Sequence, residues 1–189
     1  MTHLAIFVSG GGTNCENIIR YFKGSEDVTV DIVVSSKSDA YALVRAQNLG
    51  VRTAVISARQ FRENPDLVLD TVKGCDYIIL AGFLVLVPEY LIDRYPRRII
   101  NIHPALLPKY GGKGMWGHHV HEAVKAAGEK ETGITVHFVN SEYDAGEIIA
   151  QFKTPLSPED GVEDIEAKIH KLEMAHFPEV IESVIKGKK

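Results

Sequence analysis

Short apolar runs alternate with segments of helical periodicity through the first half of the chain, and this alternation constrains the fold most strongly. The first run, residues 4–8, is apolar throughout, as expected of a parallel strand that is buried on both faces. Strands are predicted at residues 4–8, 28–34, 52–56, 77–81 and 98–102. Helices are predicted between them, near residues 14–22, 41–49, 66–73 and 89–94. This order is typical of a doubly wound, mostly parallel sheet flanked by helices.

The second half of the chain predicts a mixed edge to that sheet. A helix is expected at 118–127, two strands at 132–140 and 147–153, and a closing helix at 161–185. Strands joined by a short turn favour an antiparallel or mixed C-terminal edge. The chain has 189 residues, 45% of them hydrophobic, and no linker-like shift in composition, so one domain spanning residues 1–189 is expected.

Composition excludes several classes of protein. The net charge is -4 and the charges are spread along the chain, which argues against a nucleic-acid-binding surface. No apolar run approaches the roughly 20 residues that cross a bilayer, and no signal peptide opens the sequence, so a cytoplasmic location is expected. The histidines at 118, 119 and 121 lack a carboxylate or cysteine at ligand spacing, and no metal site is predicted.

Asn101 and His103 form the first candidate for catalytic chemistry. They stand at the end of an apolar run, and residues two apart in a strand face the same side. An amide and an ionisable ring on one side are suited to stabilising an oxyanion during acyl transfer. Pro104 and Pro108 forbid a continuing helix or central strand, so the pair is predicted at a chain reversal.

A glycine-rich turn follows the first predicted strand and opens the first predicted helix. Gly11, Gly12, Thr13 and Asn14 are candidate phosphate-binding residues, because helix N-terminal amides favour an anion. Cys15 stands where a dinucleotide fingerprint needs its last glycine, and no P-loop lysine follows. The alternative is a tight structural turn with Thr13 or Asn14 as the N-cap.

Asp144 is the third candidate, in a turn just before Gly146. A carboxylate beside His103 is expected to raise the pKa of the imidazole above 6.5 and keep the ring protonated. Alone, an aspartate at such a position is usually a turn residue. His137 is expected to be a buried structural histidine, while the glycine-rich segment 109–117 is either a lid or a surface loop, which the burial of Trp116 should decide.

Together these motifs resemble the folate-dependent formyltransferases, among them those that act on glycinamide ribonucleotide. The resemblance covers the chain from the first strand to the last helix. It is carried by residues 9–14 (SGGGTN), 81–83 (AGF), 101–108 (NIHPALLP), 133–138 (GITVHF) and 144–146 (DAG). A Rossmann-like formyltransferase fold is therefore expected.

The resemblance also implies roles for individual residues. It implies that Asn101 binds the formyl oxygen, that His103 is the general acid and that Asp144 holds it protonated. It places the nucleotide substrate at the glycine-rich turn and Glu173. The folate side comprises Asn101, Arg62 and the segment Leu84, Val85, Leu86 and Val87, where Val85 replaces the family's arginine.

The activity implied is transfer of the formyl group of 10-formyltetrahydrofolate to 5'-phosphoribosylglycinamide. The alternatives are a formyltransferase acting on an amino sugar nucleotide or on methionyl-tRNA, a formyl-folate hydrolase, and a ligand-binding module without turnover. The other formyltransferases and the hydrolase are expected to carry a further domain for which this chain has no room. The expected partners are small molecules, neither nucleic acid nor membrane, and a homodimer is compatible with the sequence.

Overall fold

The computed structural model describes residues 1–187, in two compact units, Met1–Asn101 and a second that begins at Ile102. The first unit contains β1 (Thr2–Val8), α1 (Thr13–Phe22), β2 (Val28–Ser35), α2 (Tyr41–Asn48), β3 (Arg52–Val55), α3 (Ala58–Glu63), α4 (Pro65–Thr71), β4 (Tyr77–Leu80) and α5 (Glu89–Arg94). The strand β5 (Ile99–His103) crosses the boundary. The second unit continues with α6 (His118–Ala126), β6 (Glu131–Phe138), β7 (Ile148–Pro155) and α7 (Val162–Ile185).

The spatial order of the strands is β3-β2-β1-β4-β5-β6-β7. The pairs β1 with β2, β1 with β4, β2 with β3, and β4 with β5 are parallel, whereas β6 and β7 are antiparallel. Residues 4 to 8 of β1 are fully buried, which explains why this strand is apolar at every position. The predicted doubly wound sheet with a mixed edge is confirmed.

One helix was missed by the periodicity analysis. Residues 58–63 form α3, which is too short to show a helical period but carries a start signal. The Ser57 side chain accepts a hydrogen bond from the Gln60 backbone, and the Gln60 side chain accepts one from the Ser57 backbone. That capping box made the helix predictable.

The carboxyl ends of β1 and β4 meet where the strand order reverses, which is where open α/β sheets bind ligands. Ser9, directly after β1, accepts a hydrogen bond on its hydroxyl from the Leu84 backbone at 2.9 Å. This bond joins the glycine-rich turn to the segment that follows β4. Within residues 1–187, no helix is both long and apolar enough to span a membrane.

The pairing of β6 with β7 leaves no space for a side chain at Gly133. A Cβ atom there would lie 2.0 Å from the backbone oxygen of Phe152, so the strands would have to separate. We predict that Gly133→Ala lowers the free energy of unfolding by about 1–3 kcal/mol, as overpacking typically does. Urea denaturation checks this value.

Gly161→Ala is the matched control. Its φ is -78°, and the nearest atom to an added Cβ is a side-chain oxygen of Asp164 at 3.4 Å. The control should cost no more than about 1 kcal/mol, the typical penalty for alanine at an N-cap, because it adds no clash with the backbone. Equal losses in the two variants would contradict the close approach at Gly133.

Candidate active site

The glycine-rich turn is held in a conformation that requires glycine at one position. Gly12 is the N-cap of α1 with φ 78°, and an added Cβ would lie 2.4 Å from the Cβ of Ala42. No side chain caps this helix, so the alternative in which Thr13 or Asn14 is the N-cap is wrong. The turn therefore presents backbone groups at the start of α1, as the phosphate hypothesis requires.

The segment after β4 lies on an aromatic cluster of the first unit. The ring of Phe83 is 5.3 Å from that of Phe7 and 5.1 Å from that of Phe61, measured between centroids. This packing fixes the start of the predicted folate segment. Within that segment Leu84 and Leu86 are exposed and Val87 is buried.

Arg62 and Val85 complete the predicted folate side. Arg62 is exposed on α3 and directly follows Phe61, which is buried in the aromatic cluster. Val85 is half-buried and offers no cation. Leu84 and Leu86 supply exposed apolar surface that a flat aromatic ligand could cover.

Asn101 stands in β5 opposite Leu80 of β4, the residue that precedes the folate segment by a short turn. It is half-buried. Asn101 and His103 are two residues apart on one strand, as predicted, and so share its side.

His103 is buried, with 3% of its surface exposed, and both ring nitrogens face hydrogen-bond acceptors. Its Nε2 lies 2.7 Å from the backbone oxygen of Tyr110, and its Nδ1 lies 3.4 Å from a carboxylate oxygen of Asp144. Because a carbonyl only accepts, Nε2 carries a proton. A second proton on Nδ1 would satisfy the carboxylate, so the geometry of both contacts favours the imidazolium.

The net effect on the pKa of His103 differs from the sequence prediction. Burial lowers that pKa, and this effect outweighs the opposing charge of Asp144 and the hydrogen bond to Tyr110. His137 lowers it further. The expected proximity of Asp144 is confirmed, but the expected pKa above 6.5 is wrong because desolvation of the buried ring is the larger effect.

Asp144 is ionised between two buried histidines. Burial raises the pKa of its carboxyl, but a hydrogen bond from His137, the charge of His103 and the backbone N–H of Gly112 together hold it below its usual range. The Gly112 N–H donates to Oδ2 at 3.0 Å, and His137 Nε2 lies 3.7 Å from Oδ1. Asp144 is thus both a turn residue and a partner of His103.

The chain reversal after β5 is fixed by one buried hydroxyl. Thr135 Oγ1 donates to the backbone oxygen of Ala105 at 2.7 Å and accepts from the backbone N–H of Leu107 at 3.0 Å. Gln151 Nε2 donates to the backbone oxygen of Leu107 at 3.0 Å. These bonds set the direction in which the chain leaves His103 and returns at Tyr110.

Sequence reasoning missed three of the residues that surround His103. His137 was assigned a structural role, although its imidazole contacts Asp144; its position seven residues before an aspartate in a strand-and-turn was the available signal. Tyr110 and Gly112 act through backbone atoms, which no residue type reveals. Trp116 is 50% exposed, which favours a surface loop over a lid for its segment.

A third buried histidine, His121, lies on α6. Burial lowers its pKa, and the charges of His118 and His103 act in the same direction against that of Glu166. Its Nδ1 is buried without a hydrogen-bond partner. In the described part of the chain, no group of three or more histidine, cysteine or acidic side chains is arranged to hold a metal ion.

Glu173 lies on α7 with 15% of its side chain exposed, and a carboxylate oxygen is 3.9 Å from His170 Nδ1. The first unit thus contains the glycine-rich turn, the folate segment, Arg62 and Asn101, and the second contains His103, Asp144 and Glu173. The second unit supplies a buried acid–base pair able to donate and hold a proton.

Comparison with known proteins places this chemistry in a family. Residues 2–181 match the family model described as formyl transferase. The phosphoribosylglycinamide formyltransferase of Haemophilus influenzae is 37% identical over 100% of this chain and 89% of its own length, and that of Escherichia coli is 36% identical over 95% and 85%. Glycinamide ribonucleotide transformylase 1 of Symbiobacterium toebii superimposes with a TM-score of 0.89 at 32% identity, over 99% of this chain and 89% of that one. The chain therefore belongs to the formyl transferase family.

Proposed function

We propose that this chain transfers the formyl group of 10-formyltetrahydrofolate to the amine of 5'-phosphoribosylglycinamide, a step of de novo purine synthesis. The observation that carries the proposal is the buried His103, whose two nitrogens face Asp144 and the Tyr110 carbonyl, in a chain whose residues 2–181 match the formyl transferase family. Such an acid–base pair can supply the proton transfers that formyl transfer involves.

The first step is attack of the substrate amine on the formyl carbon. A carbon–nitrogen bond forms, and the electron pair of the formyl C=O moves onto oxygen. Asn101 and protonated His103 then stabilise this oxyanion by donating hydrogen bonds, which is commonly the largest catalytic contribution.

In the second step the bond from the formyl carbon to the folate nitrogen breaks. The oxygen electron pair reforms the C=O, and the proton lost by the attacking amine passes to the departing nitrogen, through water held near Asp144. The products are the formylated amine and tetrahydrofolate. No group is oxidised or reduced in either step.

For His103 to donate a hydrogen bond to the formyl oxygen, one of its two present ring contacts must be replaced. Nε2 donates to the Tyr110 carbonyl, at 2.7 Å, while Nδ1 faces a buried carboxylate. The formyl oxygen takes the place of the Tyr110 carbonyl, because giving up Asp144 would remove the charge that favours the protonated ring. The developing negative charge on the oxygen compensates for the burial that lowers the pKa of free His103.

The two substrates are assigned to the remaining predicted residues. Backbone groups of Gly11, Gly12, Thr13 and Asn14 bind the 5'-phosphate, with Glu173 on the glycinamide ribonucleotide. The folate binds Arg62, Asn101 and the segment Leu84, Val85, Leu86 and Val87, which combines exposed leucines with backbone groups. A cytoplasmic location, a single domain and a homodimer stay predictions.

Other members of the chemical class are less well supported. A hydrolase would have to admit water to the formyl carbon in place of the amine, and an amino sugar or tRNA formyltransferase would act on a different amine. The full-length similarity to phosphoribosylglycinamide formyltransferases favours the glycinamide ribonucleotide. A binding module without turnover would bind both ligands and release no formyl product.

The proposed function is tested by incubating the protein with both substrates and measuring formylated product. We predict that Asn101→Ala and His103→Ala each lower kcat by about 100-fold or more, because loss of one oxyanion donor typically costs that much. Both variants should still bind each substrate in calorimetry.

His119→Ala is the matched control for the loss of an imidazole. The His119 side chain is 60% exposed on α6 and contacts Glu122 and Trp116. It should keep wild-type turnover. Absence of product from the wild-type protein would refute the function, and wild-type turnover in His103→Ala would refute the assigned acid.

Asp144→Asn should change the pH dependence of turnover. The Asp144 carboxylate raises the pKa of His103, so its neutral replacement lowers that pKa further. Because the active ring is protonated, the decline of kcat on the alkaline side should begin at lower pH than in the wild type. A profile of kcat from acidic to alkaline pH checks this, and a uniform loss with an unshifted decline would assign Asp144 a purely structural role.

A further inference from the structure

Arg45 of α2 joins three parts of the first unit at the glycine-rich turn. Its Nε donates to the backbone oxygen of Gly11 at 2.9 Å, and its Nη1 binds the carboxylate of Glu16. Its Cζ lies 5.0 Å from the centroid of the Tyr41 ring. A planar guanidinium offers five donors in a fixed fork and stacks on an aromatic ring, whereas a lysine ammonium is a compact point charge.

Hydrogen bonds from α2 to two carbonyl oxygens of the turn fix the direction of its peptide groups. Ala42 N–H donates to the Gly10 oxygen at 3.1 Å, and Arg45 donates to the oxygen of Gly11. Both peptides are trans, so each C=O points opposite to the N–H of the next residue. The N–H groups of Gly11 and Gly12 therefore point away from α2.

These two N–H groups are available to a ligand. Within residues 1–187 neither Gly11 nor Gly12 donates a backbone hydrogen bond to another group. No heavy atom outside the adjoining chain lies within 4 Å of a Cβ placed on Gly10 or Gly11, so the turn can be approached closely from outside. Successive free N–H groups at a helix start form an anion-binding concavity.

Glu16 poses an electrostatic problem for this site. It lies in the first turn of α1 with 21% of its side chain exposed, where an uncompensated carboxylate would repel a phosphate dianion. Arg20 and Arg45 both bind it, and their hydrogen bonds hold its pKa below the usual range. Of the two arginines, Arg45 is the one that also binds the turn.

We propose that Arg45 is a positioning residue for the phosphate site: it directs the Gly11 and Gly12 N–H groups outward and neutralises Glu16 beside the bound dianion. The inference rests on the proposed function in one respect, the assignment of the 5'-phosphate to this turn. It adds a residue that acts through the turn without touching the reacting atoms.

The test uses ribose 5-phosphate as a probe, because its binding needs no formyl transfer. Titration calorimetry on the full chain compares wild type, Arg45→Met, Arg45→Lys and Arg20→Met. Arg45→Met should weaken ribose 5-phosphate binding about tenfold or more, as loss of a charge-assisted hydrogen bond implies. Arg45→Lys should fall between it and the wild type. Arg20→Met should stay within about threefold of the wild type, because Arg45 still pairs with Glu16 and the Arg20 side chain is 62% exposed and does not bind the turn.

Steady-state kinetics gives the second readout. In Arg45→Met the KM for glycinamide ribonucleotide should rise about tenfold while kcat changes much less, since the lost interaction is with a remote phosphate. The substrate without its 5'-phosphate should show a much smaller difference between wild type and variant. An equal loss on both substrates would overturn the proposal, because a general structural defect does not discriminate between them.

Adding Glu16→Gln to Arg45→Met separates the two roles of Arg45, neutralising Glu16 and holding the turn. Removal of the carboxylate should recover part of the lost affinity, and no recovery would overturn the neutralising role. Thermal unfolding checks that each variant is folded. If Arg45→Met does not fold, Arg45→Lys takes its place. Unchanged ribose 5-phosphate affinity in Arg45→Lys would then refute the role of Arg45 in positioning the turn.

The two hypotheses fail separately. Wild-type protein that binds ribose 5-phosphate but forms no formyl product would refute the proposed function, while loss of that binding in Arg45→Met would still support the inference. Formyl transfer by the wild type, with undiminished ribose 5-phosphate binding in Arg45→Met, would refute the inference alone. Failure of the wild-type protein to bind ribose 5-phosphate would also refute the inference about Arg45.

Discussion

The balance between burial and charge at His103 is the constraint on which the site depends. A solvent-exposed imidazole titrates near neutrality, but this ring is 3% exposed, and burial lowers its pKa. The Asp144 carboxylate and the Tyr110 carbonyl oppose that effect without overcoming it. In the proposed mechanism the ring therefore takes up its second proton when negative charge develops beside it, as an acid that acts on an oxyanion must.

Backbone geometry maintains this balance at some local cost. The two partners of His103, Tyr110 and Asp144, are non-glycine residues in the left-handed region, with φ of 56° and 52°. Aspartate tolerates this region better than tyrosine. Tyr110 is held there by the hydrogen bond from its hydroxyl to Glu129 at 2.8 Å, and Gly112 donates to the Asp144 carboxylate. Such strained positions persist where surrounding contacts fix them, often at functional sites.

Glycines allow these loops to approach so closely. A Cβ on Gly111 would lie 2.5 Å from the Leu107 side chain and 3.3 Å from that of Asp144, and one on Gly146 would lie 1.7 Å from the Phe138 oxygen. The turn carrying Asp144 thus folds tightly onto β6. At Gly12 the same requirement brings the glycine-rich turn against α2.

The sequence predicted those parts of the fold and site that depend on residue type and spacing. Buried parallel strands such as β1 are apolar at each position, and Asn101 and His103 were correctly placed at the end of a strand. The balance of effects at His103 was not predictable, because desolvation depends on packing from distant segments. Tyr110 and Gly112 were missed because they contribute backbone atoms, and Arg45 because it lies 34 residues from the carbonyl that it binds.

The protonation of His103 in a complex shows whether a bound anion reverses the effect of burial on this ring. Nitrogen NMR of the labelled imidazole should be recorded across pH for the free protein and with glycinamide ribonucleotide plus a folate analogue that carries an anionic mimic of the oxyanion at the formyl position. We predict that the pKa of His103 is higher in the complex than in the free protein, with Nε2 protonated and hydrogen-bonded to the analogue's oxygen. An unchanged pKa with Nε2 showing no bond to the analogue would contradict it.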